Sequence, residues 1–160
     1  DHLIEAVREI RKTQIDTSLT LVGTPANAES KAWANGLIAD SKEDIENGWL
    51  SFEPAIPRED FPKVIQRNGC FFHGYIGSLD KTLVESTMLR VPVITNNPEY
   101  KSIFGSWSQS KEFDLVSEYF AMRSLSNSEL QNELDRRLAI ARSEHSLSHW
   151  INELASLLER

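Results

Sequence analysis

The stretch His73–Ser86, HGYIGSLDKTLVES, followed by VPVIT at 91–95, decides how this chain is read. A short apolar run, Cys70-Phe71-Phe72, ends in a loop that carries Gly74 and Gly77. A helix then opens near Asp80, with Lys81 and Glu85 one turn apart. Val91 to Thr95 is almost continuously apolar, as expected of a strand buried on both faces. Strand, glycine loop, helix and second buried strand is the order of a phosphate-cradling site in an α/β fold. The first turn of a helix has unpaired N–H groups and the positive end of its dipole, so it attracts anions. Glycine lets the backbone approach such an anion without a side chain in between.

Working outward in both directions, the rest of the chain alternates in the same way. Leu3, Ile4, Val7 and Ile10 follow helical spacing, which predicts a helix over 2–12. Ser18–Val22 is β-rich and closes at Gly23-Thr24-Pro25. Residues 28–46 are polar, with Ala32, Trp33, Leu37, Ile38 and Ile45 spaced for one or two exposed helices. Trp49–Phe52 reads as a strand, Pro57–Pro62 as a turn, and Phe61, Val64 and Ile65 as a short helix. The strand ending at His73 follows, then a helix over 80–89 with Leu83, Val84, Thr87 and Met88 on one face. Asn96-Asn97-Pro98 breaks the chain after the apolar strand. Phe113–Val116 reads as a last strand, Ser126-x-x-Glu129 as a capping box opening a helix to about Arg142, and 147–158 as a final amphipathic helix. This alternation predicts an α/β fold, a doubly wound and mostly parallel Rossmann-like sheet with helices on both faces. Ligands bind at the carboxyl ends of strands in such sheets, which is where the 74–80 loop belongs.

Composition narrows the function. The 160 residues, 40% of them hydrophobic, suffice for one domain with a sizeable core. The formal net charge of −7 argues against general nucleic-acid binding, which needs clustered Lys and Arg. One small phosphate-bearing ligand needs only local charge. The single cysteine, Cys70, lies in an apolar run and reads as a buried thiol, so no disulfide can form within the chain. No apolar run approaches the roughly 20 residues that span a bilayer, and no signal peptide is evident. The sequence opens inside an amphipathic helix without an initiator Met, which reads as a piece of a longer protein.

These features together resemble the donor-sugar domain of the retaining glycosyltransferases of the group 1 family, which have the GT-B architecture. The resemblance runs along nearly the whole chain. HLIEAVREI at 2–10 is similar to the family's first helix and SLTLVGTP at 18–25 to its strand ending in V-G. FFHGYIGSLDKTLVES is similar to the donor-phosphate loop and its helix, VPVIT to the P-V-I strand, and 127–158 to the trailing helices. Two departures stand out. Gly77 occupies the place of the first of the family's two glutamates, and Leu89-Arg90 replaces its small-residue-then-Gly pair.

The resemblance implies that residues 1–160 are a nucleotide-sugar domain, incomplete on its N-terminal side and lacking the acceptor domain. It implies a hexosyltransferase-like parent that moves a sugar from a nucleotide-diphosphate sugar to an acceptor hydroxyl with retention, this chain alone being inactive. It implies donor contacts from Gly77, Ser78, Leu79, Asp80, Lys81, Thr82 and Glu85, and backbone contacts to the base around Pro54, Ala55 and Ile56. No metal and no cofactor is expected beyond the nucleotide sugar itself. The partners expected are the nucleotide sugar and the parent's acceptor domain, with no nucleic acid. The location expected is cytoplasmic, with peripheral contact of the parent enzyme at the inner face of the membrane.

Each site residue also has a plainer reading. Glu85 accepts from ribose hydroxyls in the resembled family, but Thr82-x-x-Glu85 also fits a capping box. Lys81 pairs either with a phosphate or with Glu85 one turn on. Asp80 is most simply a helix N-cap, with a sugar-hydroxyl contact as the alternative. Gly77, Ser78 and Leu79 act through backbone N–H groups, or Gly77 is an ordinary loop glycine. His73 at a strand end reads as structural, and the four histidines with Cys70 make no zinc pattern. A G-x-S-x-G elbow and a Gly-x-Gly-x-x-Gly turn are both absent, which disfavours a hydrolase triad and dinucleotide binding. A nucleotide-sensing module and an inactive transferase-like assembly domain remain as alternatives.

Overall fold

The computed structural model describes residues 2–110, 114–145 and 149. It is an α/β structure in two compact units, Asp1–Phe61 and Pro62–Arg160. Each contains one parallel pair of strands joined by helical crossovers.

In the first unit, α1 (His2–Arg11) buries Ile4, Ala6, Val7 and Ile10, the stripe expected from its spacing. It leads into β1 (Leu19–Val22), then α2 (Ala28–Asp40), α3 (Lys42–Glu46) and β2 (Leu50–Glu53). The two strands pair in parallel with Leu19 opposite Leu50 and Val22 opposite Glu53. Leu19 and Leu50 are buried and the residues that follow them are exposed, so one sheet face is covered. Arg8 on α1 grips Asp44 on α3 through two guanidinium nitrogens, Nε at 3.0 Å. The hydrogen bond to Asp44 raises the Arg8 pKa against the opposing effect of burial. The Arg11 guanidinium lies 5.1 Å over the Trp49 ring. By contrast, α2 buries no residue, and Trp33 on it stays 61% exposed. It is held by its own ends, with Asn27 and Ser30 forming a reciprocal capping box.

The second unit runs α4 (Phe61–Arg67, begun at the unit boundary), β3 (Phe71–His73), α5 (Lys81–Met88), β4 (Val93–Thr95), α6 (Pro98–Phe104), α7 (Leu115–Arg123) and α8 (Asn127–Glu144). β3 and β4 are parallel, with Phe71 opposite Val93 and His73 opposite Thr95. Val93, Ile94 and Thr95 are all buried, as a strand covered on both faces requires. Leu83, Val93, Tyr100, Phe104 and Ala141 form the core, with Phe71, Leu79, Met88, Ile103 and Ile140 against it. Each large side chain so buried contributes about 1.5–3 kcal/mol.

The buried face of α5 is shifted from the one expected from the sequence. Leu83, Ser86 and Thr87 are buried, whereas Val84 and Met88 are half-buried. Ser86 and Thr87 tolerate the interior because their hydroxyls donate to the carbonyls of Thr82 and Leu83, one turn back. The Thr87 hydroxyl also meets the Tyr100 phenol at 2.7 Å.

One correction concerns the C-terminal half. The strand expected at Phe113–Val116 is not formed by its described residues, since Leu115 and Val116 open α7. Asp114 caps this helix by accepting from the amides of Val116 and Ser117. Leu115, Tyr119 and Met122 repeat at helical spacing and are buried, a period that a four-residue window hides. The Asn96-Asn97-Pro98 break is also a beginning. Asn97 caps α6 and Pro98 takes its first position, where the missing N–H costs nothing. The helix expected from Ser126 is present with its capping box. Phe113 and, apart from position 149, the helix expected over 147–158 lie outside the described residues.

A buried polar cluster ties α6, α7 and α8 to β4. Lys101 on α6 pairs with Glu118 on α7 at 3.0 Å, and both side chains are at least nine-tenths buried. The second oxygen of Glu118 accepts from the Trp107 amide at 2.8 Å. The Trp107 indole donates to the Val93 carbonyl, also at 2.8 Å. Because the Pro92 carbonyl faces β3, the carbonyl of Val93 faces away from it, and the indole covers that strand edge. Arg137, 1% exposed, lies 3.8 Å from the centre of the same ring and bonds Glu133 and the Gly105 carbonyl. Gly105 ends α6 at φ +84°, where a side chain would be strained and its Cβ would crowd Arg136.

Glu118→Ala should therefore be severe. It takes the carboxylate from a buried lysine and the acceptor from the Trp107 amide. We expect a loss of about 3 kcal/mol or more in urea unfolding, with Glu118→Gln losing less because it keeps an acceptor.

Candidate functional site

The loop expected to cradle a phosphate leaves the carboxyl end of β3 and enters α5. Its shape is set by Asn97, a side chain from outside the loop. Asn97 is completely buried, and its Nδ2 faces three loop carbonyls, Tyr75 at 3.2 Å, Gly77 at 3.0 Å and Ser78 at 3.4 Å. Its Oδ1 accepts from the Tyr100 amide at 2.9 Å, and its backbone N–H donates to the Thr95 hydroxyl at 3.1 Å. One residue thus ends β4, starts α6 and holds the loop.

The sequence-predicted residues fall as follows. Asp80 is the N-cap of α5, accepting from the Thr82 amide at 2.8 Å and the Thr82 hydroxyl at 2.7 Å. Thr82 therefore supports the cap rather than forming one, which removes the capping-box reading of Thr82 and Glu85. His73 Nε2 lies 3.5 Å from the second Asp80 oxygen. Burial pushes the Asp80 carboxyl up, but the Thr82 hydrogen bonds and then His73 leave it below the usual value. The Leu79 side chain packs on the core while its amide donates to Glu99 Oε2 at 2.6 Å. Ser78 and Lys81 are exposed, and Glu85 is half-buried one turn beyond Lys81.

A Cβ at Gly77 would overlap the outer end of the Tyr75 ring as it now stands. That ring is 60% exposed and stands edge-on to His73. His73 Nδ1 is buried without a hydrogen-bond partner. The loop around Pro54, Ala55 and Ile56 belongs to the first unit, where the Ala55 amide donates to the Thr24 hydroxyl. Cys70 is half-buried, and burial pushes its thiol up to about 12, with Arg123 opposing.

Sequence reading missed Asn97, Glu99 and Tyr75 as parts of the site. A signal for Asn97 was present, since Asn-Pro followed by Glu, Tyr and Lys is a helix start. Nothing in the sequence places Glu99 against Leu79, because the contact joins residues twenty positions apart.

The other departure from the resembled pattern also has a structural meaning. Arg90 has φ +58° and lies just past the end of α5. The Val91 amide donates to the Ser86 carbonyl and the Arg90 amide to that of Thr87, which is the Schellman arrangement. Arg90 thus adopts the left-handed turn that glycine ordinarily supplies. Its guanidinium bonds Gln131 and Asp135 on α8, each at 2.9 Å. A cavity of about 430 Å3 opens beside it, lined by Gln66, Asn68, Gly69, Arg90, Pro92 and Gln131. It lies at the amino ends of β3 and β4, away from the 74–80 loop.

Among the described residues, no three His, Cys, Asp or Glu side chains group to hold a metal ion, and no helix is long and apolar enough to cross a membrane. No family model, no curated protein and no solved structure matches the chain.

Two expectations follow from this geometry. Asp80 has a depressed folded pKa, so its contribution is complete above the unfolded value of about 4 and fades as pH falls through the folded value. Asp80→Ala should cost about 1 kcal/mol at neutral pH, and the difference from wild type should shrink as pH falls below about 4 in urea unfolding. Arg90→Val should lose about 1–2 kcal/mol, because a β-branched residue resists positive φ. Arg90→Gly should be neutral or stabilising, since relief of the left-handed turn outweighs two exposed contacts.

Proposed function

We propose that this chain is the nucleotide-sugar-binding part of a retaining, hexosyltransferase-like glycosyltransferase, built on a doubly wound Rossmann-like fold. One observation carries the reading. A parallel strand–loop–helix–strand unit presents the 74–80 loop at the carboxyl ends of its strands, with the loop carbonyls turned inward onto Asn97. The opposite side of that loop is left to backbone amides, the donors that a diphosphate needs.

In this reading the amides of Gly77, Ser78 and Leu79 and the Ser78 hydroxyl receive the donor diphosphate, with Lys81 beside them. Asp80 and Thr82 hold the loop to the first turn of α5. Glu85 accepts from the ribose hydroxyls, for which a carboxylate offers two acceptor oxygens. During transfer the diphosphate leaves as an acceptor hydroxyl attacks the anomeric carbon from the same face. Amides and a lysine fixed where negative charge develops stabilise that departure without reorganising. The acceptor is bound by a domain outside this chain, so the chain binds donor without turning it over.

A second reading is a nucleotide-binding or assembly domain without catalysis. It is favoured by Gly77 at the place of the first glutamate and by the carboxylate of Glu99 on the Leu79 amide.

Calorimetric titration of the chain with nucleoside diphosphates and their sugars tests the proposal. At least one should bind, and Glu85→Ala should weaken that binding about tenfold, or about 1.4 kcal/mol. Absence of binding by every nucleotide at millimolar concentration would end the proposal. Equal affinity in the variant would end the ribose role of Glu85.

A further inference from the structure

Asn97 and Glu99 take no part in the chemistry just described, yet both reach the 74–80 loop from the start of α6. The inference drawn from them rests on the anion-binding part of that proposal and concerns its control.

A trans peptide fixes its carbonyl and the next N–H in opposite directions. No peptide bond among the described residues is cis. The carbonyls of Tyr75, Gly77 and Ser78 point at the buried Asn97 amide. The N–H groups of Ile76, Ser78 and Leu79 must then point away from it. One side chain therefore turns a row of amides outward, and one of that row, Leu79, already holds a carboxylate oxygen at 2.6 Å.

That carboxylate belongs to Glu99, in the first turn of α6, where the helix dipole favours negative charge. Glu99 is exposed, so it can swing into water without opening the core. It also sets negative charge on the Leu79 amide, one residue from Asp80 in the chain, which disfavours an arriving phosphate.

We propose that Asn97 is the positioning residue that turns the Ser78 and Leu79 amides outward, and that Glu99 is a built-in anion holding the Leu79 amide until a phosphate-bearing ligand displaces it. Binding is then an exchange of one anion for another at a single N–H. The apparent affinity for phosphate is lowered by the competition, in the way that any occupied state lowers affinity. Ligand arrival also releases the tie between the loop and α6, so occupancy changes the freedom of the Glu99 side chain.

The test is an amide-resolved NMR titration of the 15N-labelled chain with inorganic pyrophosphate. Wild type, Glu99→Gln and Asn97→Asp are compared. In Glu99→Gln the Leu79 amide should move upfield before any ligand is added, because it loses a charged acceptor. Pyrophosphate should then shift the Ser78 and Leu79 amides with an affinity about tenfold above wild type, a change of about 1.4 kcal/mol. Asn97→Asp keeps the cap on Tyr100 but sets a carboxylate against three carbonyls. It should speed hydrogen exchange in 75–79 and weaken pyrophosphate at least about tenfold. Should that variant fail to fold, the Glu99→Gln comparison still decides.

An unmoved Leu79 amide, equal pyrophosphate affinity in wild type and Glu99→Gln, or pyrophosphate that shifts neither amide in either protein would each overturn the inference. The outcome separates it from the broader proposal. Tighter pyrophosphate binding with no nucleotide bound leaves the exchange standing and removes the glycosyltransferase reading. Nucleotide binding that is identical in the two proteins does the reverse.

Discussion

The amide of Asn97 satisfies a demand that the local sequence creates and cannot meet alone. A loop that turns between β3 and α5 without regular structure has carbonyls facing the interior, and each would be costly to bury unpaired. Asn97 offers two donor hydrogens to three of them from one buried nitrogen, while its oxygen closes the first turn of α6. The outward direction of the Ile76, Ser78 and Leu79 amides follows from that arrangement. So does the position of Glu99, which the start of α6 carries to Leu79.

Support for this corner comes from behind. Tyr100 follows Asn97 by less than a turn, and its phenol meets the Thr87 hydroxyl on α5. Burial pushes the Tyr100 phenol up, against the pull of the nearby Arg137 guanidinium and the Thr87 hydrogen bond. Farther along α6, Lys101 enters the cluster of Glu118 and Trp107, and Arg137 covers the Trp107 ring. Polar groups buried this deeply are stabilising only when paired, and removing one leaves the rest exposed to the full cost of desolvation. The site end of α6 is held by an amide and its far end by an ion pair.

The two units differ in how they achieve order. Pro62–Arg160 gathers aromatic and aliphatic side chains from five helices and strands around Leu83 and Phe104. Asp1–Phe61 relies on the α1 stripe, the paired strands, and the grip of Arg8 on Asp44. Its α2 has strong capping but no buried residue, and exposes Trp33. Helical propensity and caps specify that such a segment is a helix, and say nothing about what it rests on.

Period and punctuation were legible in the chain itself. The 3.6-residue stripe of α1, the short strands bounded by glycine and proline, the Asp80 and Ser126 caps and the nearly continuous apolar run of β4 are all local properties, and all are present. Where the window was too short, the reading failed, and Leu115 and Val116 open a helix. The break at Asn96-Asn97-Pro98 is present and also begins α6. Tertiary structure alone decided that Ser86 would lie deeper than Val84, that Arg90 would take a left-handed turn, and that Glu99 would reach Leu79. The physical reason is one of range. Helix and strand signals act over a few neighbouring residues, whereas a hydrogen bond to a loop amide depends on where distant elements come to rest.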